Sequence, residues 1–505
     1  MMKMKPWTTN WFIVETTIGD ATDDSSRRRI DTRCGAAVIA RREFLKKVMF
    51  AGMGALYGMA GRAEGVNKMA GNNRDRFGGW RARKFEATGF FRTEHDGKRW
   101  WLVTPEGNAF LSFGINHYHA GWWAQDYNRD HWTKTFGARR PWDQAWRDGF
   151  RKAAMADLER LGLNTLGIHT DAQMLTNPPA GAVAPYVRRY EPIVLSHYLK
   201  PPPETYVDIF APAFETQCAT AARKMAAPYA DDPMLLGYCM ADCPILTDGD
   251  VESMGGTTWP RVLRNLGADA PGKQAYVTAM SERYTDVAAF NANYATTFAT
   301  WDELAAAENW RPTGAPVNQA QRDDNHAFLL LCVDRYYTVA KAALRRVDPN
   351  HLFFGDKING NTDSLDSIIE VTNRHTDLVN YQYYARWPRQ KALLERWARQ
   401  VNLPFLNGDS GYSVPGGMMP APYGPHARDH AERAEWLREF CEGAFAQAEF
   451  VGWHMCGIID TWKTMPGKAE HQHQGLKTVA GKFYPEMEQA VRYISSRLYD
   501  IASGK

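Results

Sequence analysis

From residue 85 onward the chain alternates short apolar runs with amphipathic stretches, and this alternation constrains the fold more than any other feature of the sequence. Strands separated by helical crossovers build a parallel sheet. Eight runs read as buried strands: 110–115, 164–168, 192–195, 235–240, 352–355, 378–381, 404–407 and 450–455. Helical spacing of apolar residues marks 142–161, and again 276–304 and 327–347 between the fourth and fifth runs. A hairpin is expected over 90–103, with Asp96-Gly97 as its turn. The fold class is therefore α/β: a (β/α)8 TIM barrel with a short N-terminal β-hairpin and decorated outer helices. No Ser/Gly linker or repeat divides 85–505, so one barrel domain is expected there, preceded by a linker over 64–84.

Residues 1–63 have a different character. They hold 11 Lys/Arg against 6 Asp/Glu, while the remaining 442 residues hold 49 against 51. The formal charge of +3 thus belongs to the N-terminal segment, and no nucleic-acid partner is implied. Within that segment Arg41-Arg42-Glu43-Phe44-Leu45-Lys46 precedes an uncharged stretch, 48–60, and then Gly61-Arg62-Ala63. Thirteen uncharged residues are too few to span a bilayer, which needs roughly 20, but they suit the apolar core of a cleaved signal. The pattern resembles a twin-arginine export signal, with Ala40 where Ser or Thr is usual. A periplasmic or secreted mature chain without a membrane span is expected. Of seven cysteines, six lie beyond this segment and none forms a CxxC pair, so they read as small buried hydrophobes.

In a barrel of this class the chemistry sits at the C-terminal ends of the strands. The polar residues at those ends are Asn116, His117, His169, Asp171, Asp242, Lys357, Tyr381, Tyr384, Asp409, His454 and Asp460, with Trp453 among them. Glycosidic cleavage uses two carboxyl groups flanking one bond. Asp242 and Asp409, 167 positions apart on the fourth and seventh runs, are the expected catalytic pair. The other ten residues are expected to bind substrate. The chain is rich in aromatics, with 18 Trp, 22 Tyr and 23 Phe. Trp122, Trp123, Trp132, Tyr383, Tyr384, Trp387 and Trp462 fall in loops after the strands, where rings either stack on sugar faces or form an apolar lid. His117/His119, His169/Asp171 and His471/His473 have i, i+2 spacing that could present two metal ligands together. No HExxH-like motif supports that reading, and neither a metal nor a cofactor is expected. GxGxxG after the first run, GxxxxGK[ST] and GxSxG are all missing, which removes nucleotide binding and a serine-hydrolase elbow.

The order of motifs resembles the β-agarases of glycoside hydrolase family fifty, in the clan whose catalytic acids lie on strands four and seven. Asp96-Gly97-Lys98-Arg99-Trp100-Trp101-Leu102-Val103-Thr104-Pro105-Glu106-Gly107 looks like the strand pair leading into that barrel. Gly162-Leu163-Asn164-Thr165-Leu166-Gly167 is similar to its second strand, and Asp208-Ile209-Phe210-Ala211-Pro212-Ala213-Phe214 to the segment after its third. Leu236-Gly237-Tyr238 and Val451-Gly452-Trp453-His454 look like its fourth and eighth. The resemblance covers about 90–495 and implies a glycosidase acting on a galactan. Two departures stand at the chemistry. Where the family carries Asp-Asn-Glu, this chain has Ala241-Asp242-Cys243, and Asp409 stands where the family has its nucleophilic Glu. Asp171 or Asp460 could take over either role.

These observations imply an exported glycoside hydrolase of agarase or β-galactosidase type, with a carbohydrate as its partner. The rival reading is a barrel that binds glycans without cleaving them, since both family Glu positions are changed. A third is a hydrolase for an unrelated sugar.

Overall fold

The computed structural model describes residues 73–176, 181–195, 202–360, 365–465 and 468–505. The expected signal segment, 1–63, lies outside the described residues. Eight parallel strands close into a barrel in chain order: Ser112–Asn116, Thr165–Leu166, Tyr186–Arg189, Leu235–Asp242, Leu352–Asn359, Val379–Gln382, Phe405–Ser410 and Phe450–Cys456. The last pairs with the first, Gly452 opposite Ser112 and Cys456 opposite Asn116.

Helices cover the outside for local reasons. Gln144–Leu161 begins at Asp143, whose carboxylate accepts from Trp146 N, and ends at Gly162 in the left-handed region, φ +73°. Its stripe Trp146, Phe150, Ala154, Leu158 and Leu161 faces the barrel. The expected helical stretch 276–304 is three helices, Pro271–Arg283, Val287–Tyr294 and Trp301–Ala306. Asp286 caps the second through Ala289 N and Thr300 the third through Glu303 N, so side-chain caps restart the helix twice. Gln319–Arg345 opens on a capping box between Asn318 and Gln321.

The third strand differs from expectation. It is Tyr186–Arg189, and 192–195 is irregular. Two arginines hide this strand in a hydropathy reading, although the Arg188 guanidinium stacks 3.5 Å above the Tyr229 ring. Pro192 offers no backbone N–H, and Val194 points to solvent, 47% exposed.

The expected hairpin is the outer pair of a four-stranded antiparallel sheet ordered Trp80–Lys84, Asn108–Phe110, Trp100–Val103, Arg92–His95. Residues 74–84 therefore belong to the folded unit, a correction to the expected linker. Asp75 is buried and accepts from Phe77 N, Gly79 N, Thr104 Oγ1 and Asn108 Nδ2. The sheet is fastened at the N-terminal end of the eighth strand. Arg99 donates to the carbonyls of Phe445, Phe450 and Ala502, and Trp100 N donates to Ala448 O. The final helix, Pro485–Ala502, meets the first strand: the Trp80 and Tyr499 rings stack at 5.2 Å, Tyr499 Oη donates to Gly78 O, and Arg74 donates to Ser495 O.

Candidate active site

The C-terminal ends of the first, second, fourth, fifth and seventh strands bring one charged cluster together. β-Bulges aim its two aspartates. Cys239 pairs with Gly355 and Asp242 with Lys357, so the fourth strand carries one extra residue. Tyr381 pairs with Asn407 but Gln382 with Asp409, so the seventh strand does too. An extra residue breaks the two-residue alternation and re-aims the side chain that follows.

Lys357 Nζ, fully buried, lies 2.8 Å from Asp242 Oδ1 and 3.0 Å from Asp409 Oδ2. Those two oxygens are therefore less than about 6 Å apart, compared with roughly 5–5.5 Å between the carboxyls of a retaining glycosidase. His169 Nε2 stands 3.2 Å from Asp242 Oδ2, and His117 Nε2 stands 3.2 Å from Asp409 Oδ2. The two imidazoles stack at 4.5 Å, and Trp122 stacks on His117 at 5.0 Å. Tyr384 Oη donates to Asp409 Oδ1 at 3.2 Å. His117 adopts φ +53°, a strained conformation for a residue with a Cβ.

The electrostatics follow from this packing. Burial alone would raise both aspartates, but the ammonium and the neighbouring imidazoles outweigh it and hold both carboxyls well below the usual range. Burial would lower Lys357, yet its two carboxylate partners keep it above its ordinary value. His169 is pushed down to about 4, by burial first and the ammonium second, so its ring is neutral near pH 7. Arg189 Nη2 lies 3.4 Å from its Nδ1, and its Nε2 faces both Asp242 Oδ2 at 3.2 Å and Lys357 Nζ at 3.3 Å.

Of the twelve expected site residues, Asp242, Asp409, His117, His169, Lys357 and Tyr384 thus come together. Asn116 lies beneath them and spends its amide on the framework, donating to Gly408 O and accepting from His169 N. Asp171 caps the helix Ala172–Leu175 by accepting from Met174 N. Four expectations are corrected. Tyr381 points outward under the helix Trp387–Ala398, against Trp397 and Gln390, because strand alternation turns Asn380 inward instead. Trp453 also faces outward, its ring 4.6 Å from Phe440 and its Nε1 donating to Ser410 Oγ. His454 fills the barrel interior beside Ser112 Oγ, and burial pushes it down to about 3. Asp460 is buried and accepts from Gly475 N and Tyr484 Oη. Burial raises it to about 6 against those bonds and Arg433.

The loop aromatics divide in the same way. Trp123 and Trp132 are buried in the core, and Trp462 stacks on Tyr127 at 4.1 Å. Trp122 and Tyr384 border the charged cluster.

Sequence reading missed two residues near this cluster, Glu191 and Cys456. Glu191, just past the third strand, pairs with Arg189 at 3.2 Å, and burial pushes its carboxyl up to about 7, with the charge of Asp242 adding to the rise. Misplacing the third strand hid it. Cys456 ends the eighth strand, and its Sγ lies 3.1 Å from Nδ1 of His473 on the hairpin Thr461–Met465/Lys468–His473. The HxH spacing of His471 and His473 was a signal, but the pairing with Cys456 is tertiary.

No protein-family model matches the chain. Beta-agarase B of Vibrio sp. (strain JT0107) is 21% identical over 500 residues, covering 84% of this chain and 50% of that protein. Beta-agarase A of the same organism is 22% identical over 469 residues, covering 79% and 45%. The chain spans about half the length of these relatives. Among solved structures, an exo-beta-agarase superposes with a TM-score of 0.70 at 18% identity, over 94% of this chain and 73% of the other. A second agarase superposes at 0.69 and 18%, over 94% and 72%. By sequence the chain is thus similar to beta-agarases, and by fold it is a (β/α)8 barrel of the kind seen in solved agarases.

Proposed function

We propose that the protein is a glycoside hydrolase acting on an agar-type β-galactan, exported by way of the signal-like segment 1–63. The observation that carries the chemistry is the carboxylate pair held by one ammonium, its two bridged oxygens no more than about 6 Å apart. Asp409 is the attacking group: it is ionised, oriented by His117 and Tyr384, and stands on the seventh strand. Two carboxylates and one ammonium leave a net negative charge facing the oxocarbenium-like transition state. Asp242 faces the same bond, but its ammonium partner keeps it ionised, which suits a stabilising base better than a resting acid. Glu191, linked to His169 through Arg189, is the nearby carboxyl that holds its proton close to neutral pH. The galactan substrate is supported by the beta-agarase relatives.

Incubation with agarose, carrageenan, mannan and glucan, followed by reducing-end and product analysis, tests the reading. Oligosaccharides released from agarose alone are the expected result. Binding without release would favour a glycan-binding barrel, a reading motivated by Cys243 and Asp409 standing where the family carries its two Glu residues.

A further inference from the structure

Beside the sugar site, four side chains of metal-ligating type converge from four places in the fold. His117 follows the first strand, Asp409 ends the seventh, Cys456 ends the eighth, and His473 comes from the hairpin after it. Ligand atoms of His117, Asp409 and Cys456 all lie within 4.8 Å of one another. His473 stands next to that group of three, its Nδ1 3.1 Å from Cys456 Sγ and its ring 5.3 Å from that of His117. Zinc bonds of about 2.0–2.1 Å to nitrogen and 2.3 Å to sulfur require tetrahedral edges of roughly 3.3–3.7 Å. His117 Nε2 to Asp409 Oδ2, 3.2 Å, and Cys456 Sγ to His473 Nδ1, 3.1 Å, are already close to two opposite edges. His117, Asp409 and Cys456 already stand within 4.8 Å of one another, and His473 completes the set by swinging in from its place beside Cys456.

The charge count points the same way. Asp242 and Asp409 face the single ammonium of Lys357, one net negative charge while burial keeps Cys456 a thiol, and loss of the Cys456 proton on binding brings the excess to two. A divalent ion neutralises that excess, even though Lys357 shares Asp409 with it. Imidazole with thiolate is a donor set that zinc-class ions prefer over magnesium or calcium. Backbone strain lies beside two of the imidazoles. His117 is kept in a left-handed conformation, and His471, two residues before His473, is as well, at φ +49°.

We propose that His117, Asp409, Cys456 and His473 bind a thiophilic divalent cation of the zinc class. Binding displaces the Cys456 proton to solvent and leaves the thiolate on the metal. The binding itself does not depend on the hydrolase reading. If that reading holds, the ion also occupies the attacking carboxylate and inhibits cleavage.

Titration of the full chain with Co2+ tests the site directly. One equivalent is expected to give intense visible bands of a tetrahedral ion and a near-ultraviolet thiolate-to-cobalt band, both displaced by Zn2+. Cys456→Ser is expected to remove the thiolate band. His473→Ala and His117→Ala are expected to weaken Zn2+ binding at least tenfold, and His119→Ala to leave it unchanged. Anomalous diffraction at the zinc edge from soaked wild-type crystals needs no variant and should place the ion among the four side chains. Absence of the thiolate band, or an anomalous peak elsewhere, overturns the proposal. Metal binding at this site by a chain that cleaves no agarose even after the metal is stripped with a chelator would keep the proposal and remove the hydrolase reading instead.

Discussion

Asp242 and Asp409, 167 positions apart in the chain, share one ammonium, lying 2.8 and 3.0 Å from Lys357 Nζ. Each carboxylate is ionised because of that cation, so removing either side chain changes both the chemistry and the electrostatic balance. Asp409→Asn and Asp242→Asn are each expected to lower kcat on agarose by about 10²–10⁴-fold. The melting temperature should fall only modestly, since Lys357 keeps one partner. Wild-type rates in both variants would end the assignment of the pair.

Lys357→Met leaves two carboxylates facing each other without a cation. Like charges at this distance cannot both stay ionised near neutrality, so one takes a proton. The acid limb of the kcat/KM profile should move to higher pH by about one to two units, and stability at pH 7 should drop by about 3–5 kcal/mol. The native pair has depressed pKa values, so its stabilisation is present above pH about 4 and is lost as pH falls below that. Urea titrations at pH 3 and pH 7 on both proteins would show whether that acid-side loss belongs to the pair.

Glu191 is expected to set the basic limb of the pH–rate profile, with its midpoint near 7. Glu191→Gln should remove that limb while leaving the acid limb in place. An unchanged profile would exclude Glu191 as a proton source.

Asp356 is a separate titration in the core. Burial pushes it up to about 7, against bonds from Ala241 N and Tyr337 Oη. A raised carboxyl contributes stability at low pH that is lost as pH rises from about 4 through 7, by up to about 4 kcal/mol. Asp356→Asn should flatten this slope, and denaturant midpoints at pH 4.5 and pH 8 would show it. Glu191 and Asp460 act in the same direction, so a residual slope is expected.

Gly475 lies against the backbone of Ile459, where a Cβ would come within 2.4 Å of main-chain atoms. Gly475→Ala is expected to cost about 1–3 kcal/mol and to displace the hairpin that carries His473. Loss of zinc affinity with the barrel still folded would be the sign of that displacement.

Periodicity made most of the barrel legible. Seven of the eight strands fall where apolar runs stand, because a strand buried on both faces must be apolar throughout. Tyr186–Arg189 did not, because its arginine stems pack while their heads read as polar. The acids were legible as a pair, but their partner Lys357 was ranked only as a substrate contact, since nothing local says which charges a barrel will fold together. Tyr381 and Trp453 were misread for a different reason. Tyr381 lies one residue from the end of its strand and Trp453 at the middle of its own, and only the strand register decides whether such a ring faces the barrel interior or the helices. Cys456 and His473 meet across a hairpin whose docking depends on Tyr127 and Asp460, and no short-range pattern encodes that meeting.

The stacking of Trp80 on Tyr499 sets a timetable for the chain as it is made. The first strand of the cap emerges early but cannot be sealed until the final helix exists, roughly 20–80 s later at ordinary elongation rates. Until then the underside of the barrel presents open strand edges and bare rings to the cytosol. Chaperone occupancy during translation should therefore persist to the last few dozen residues and end abruptly with them.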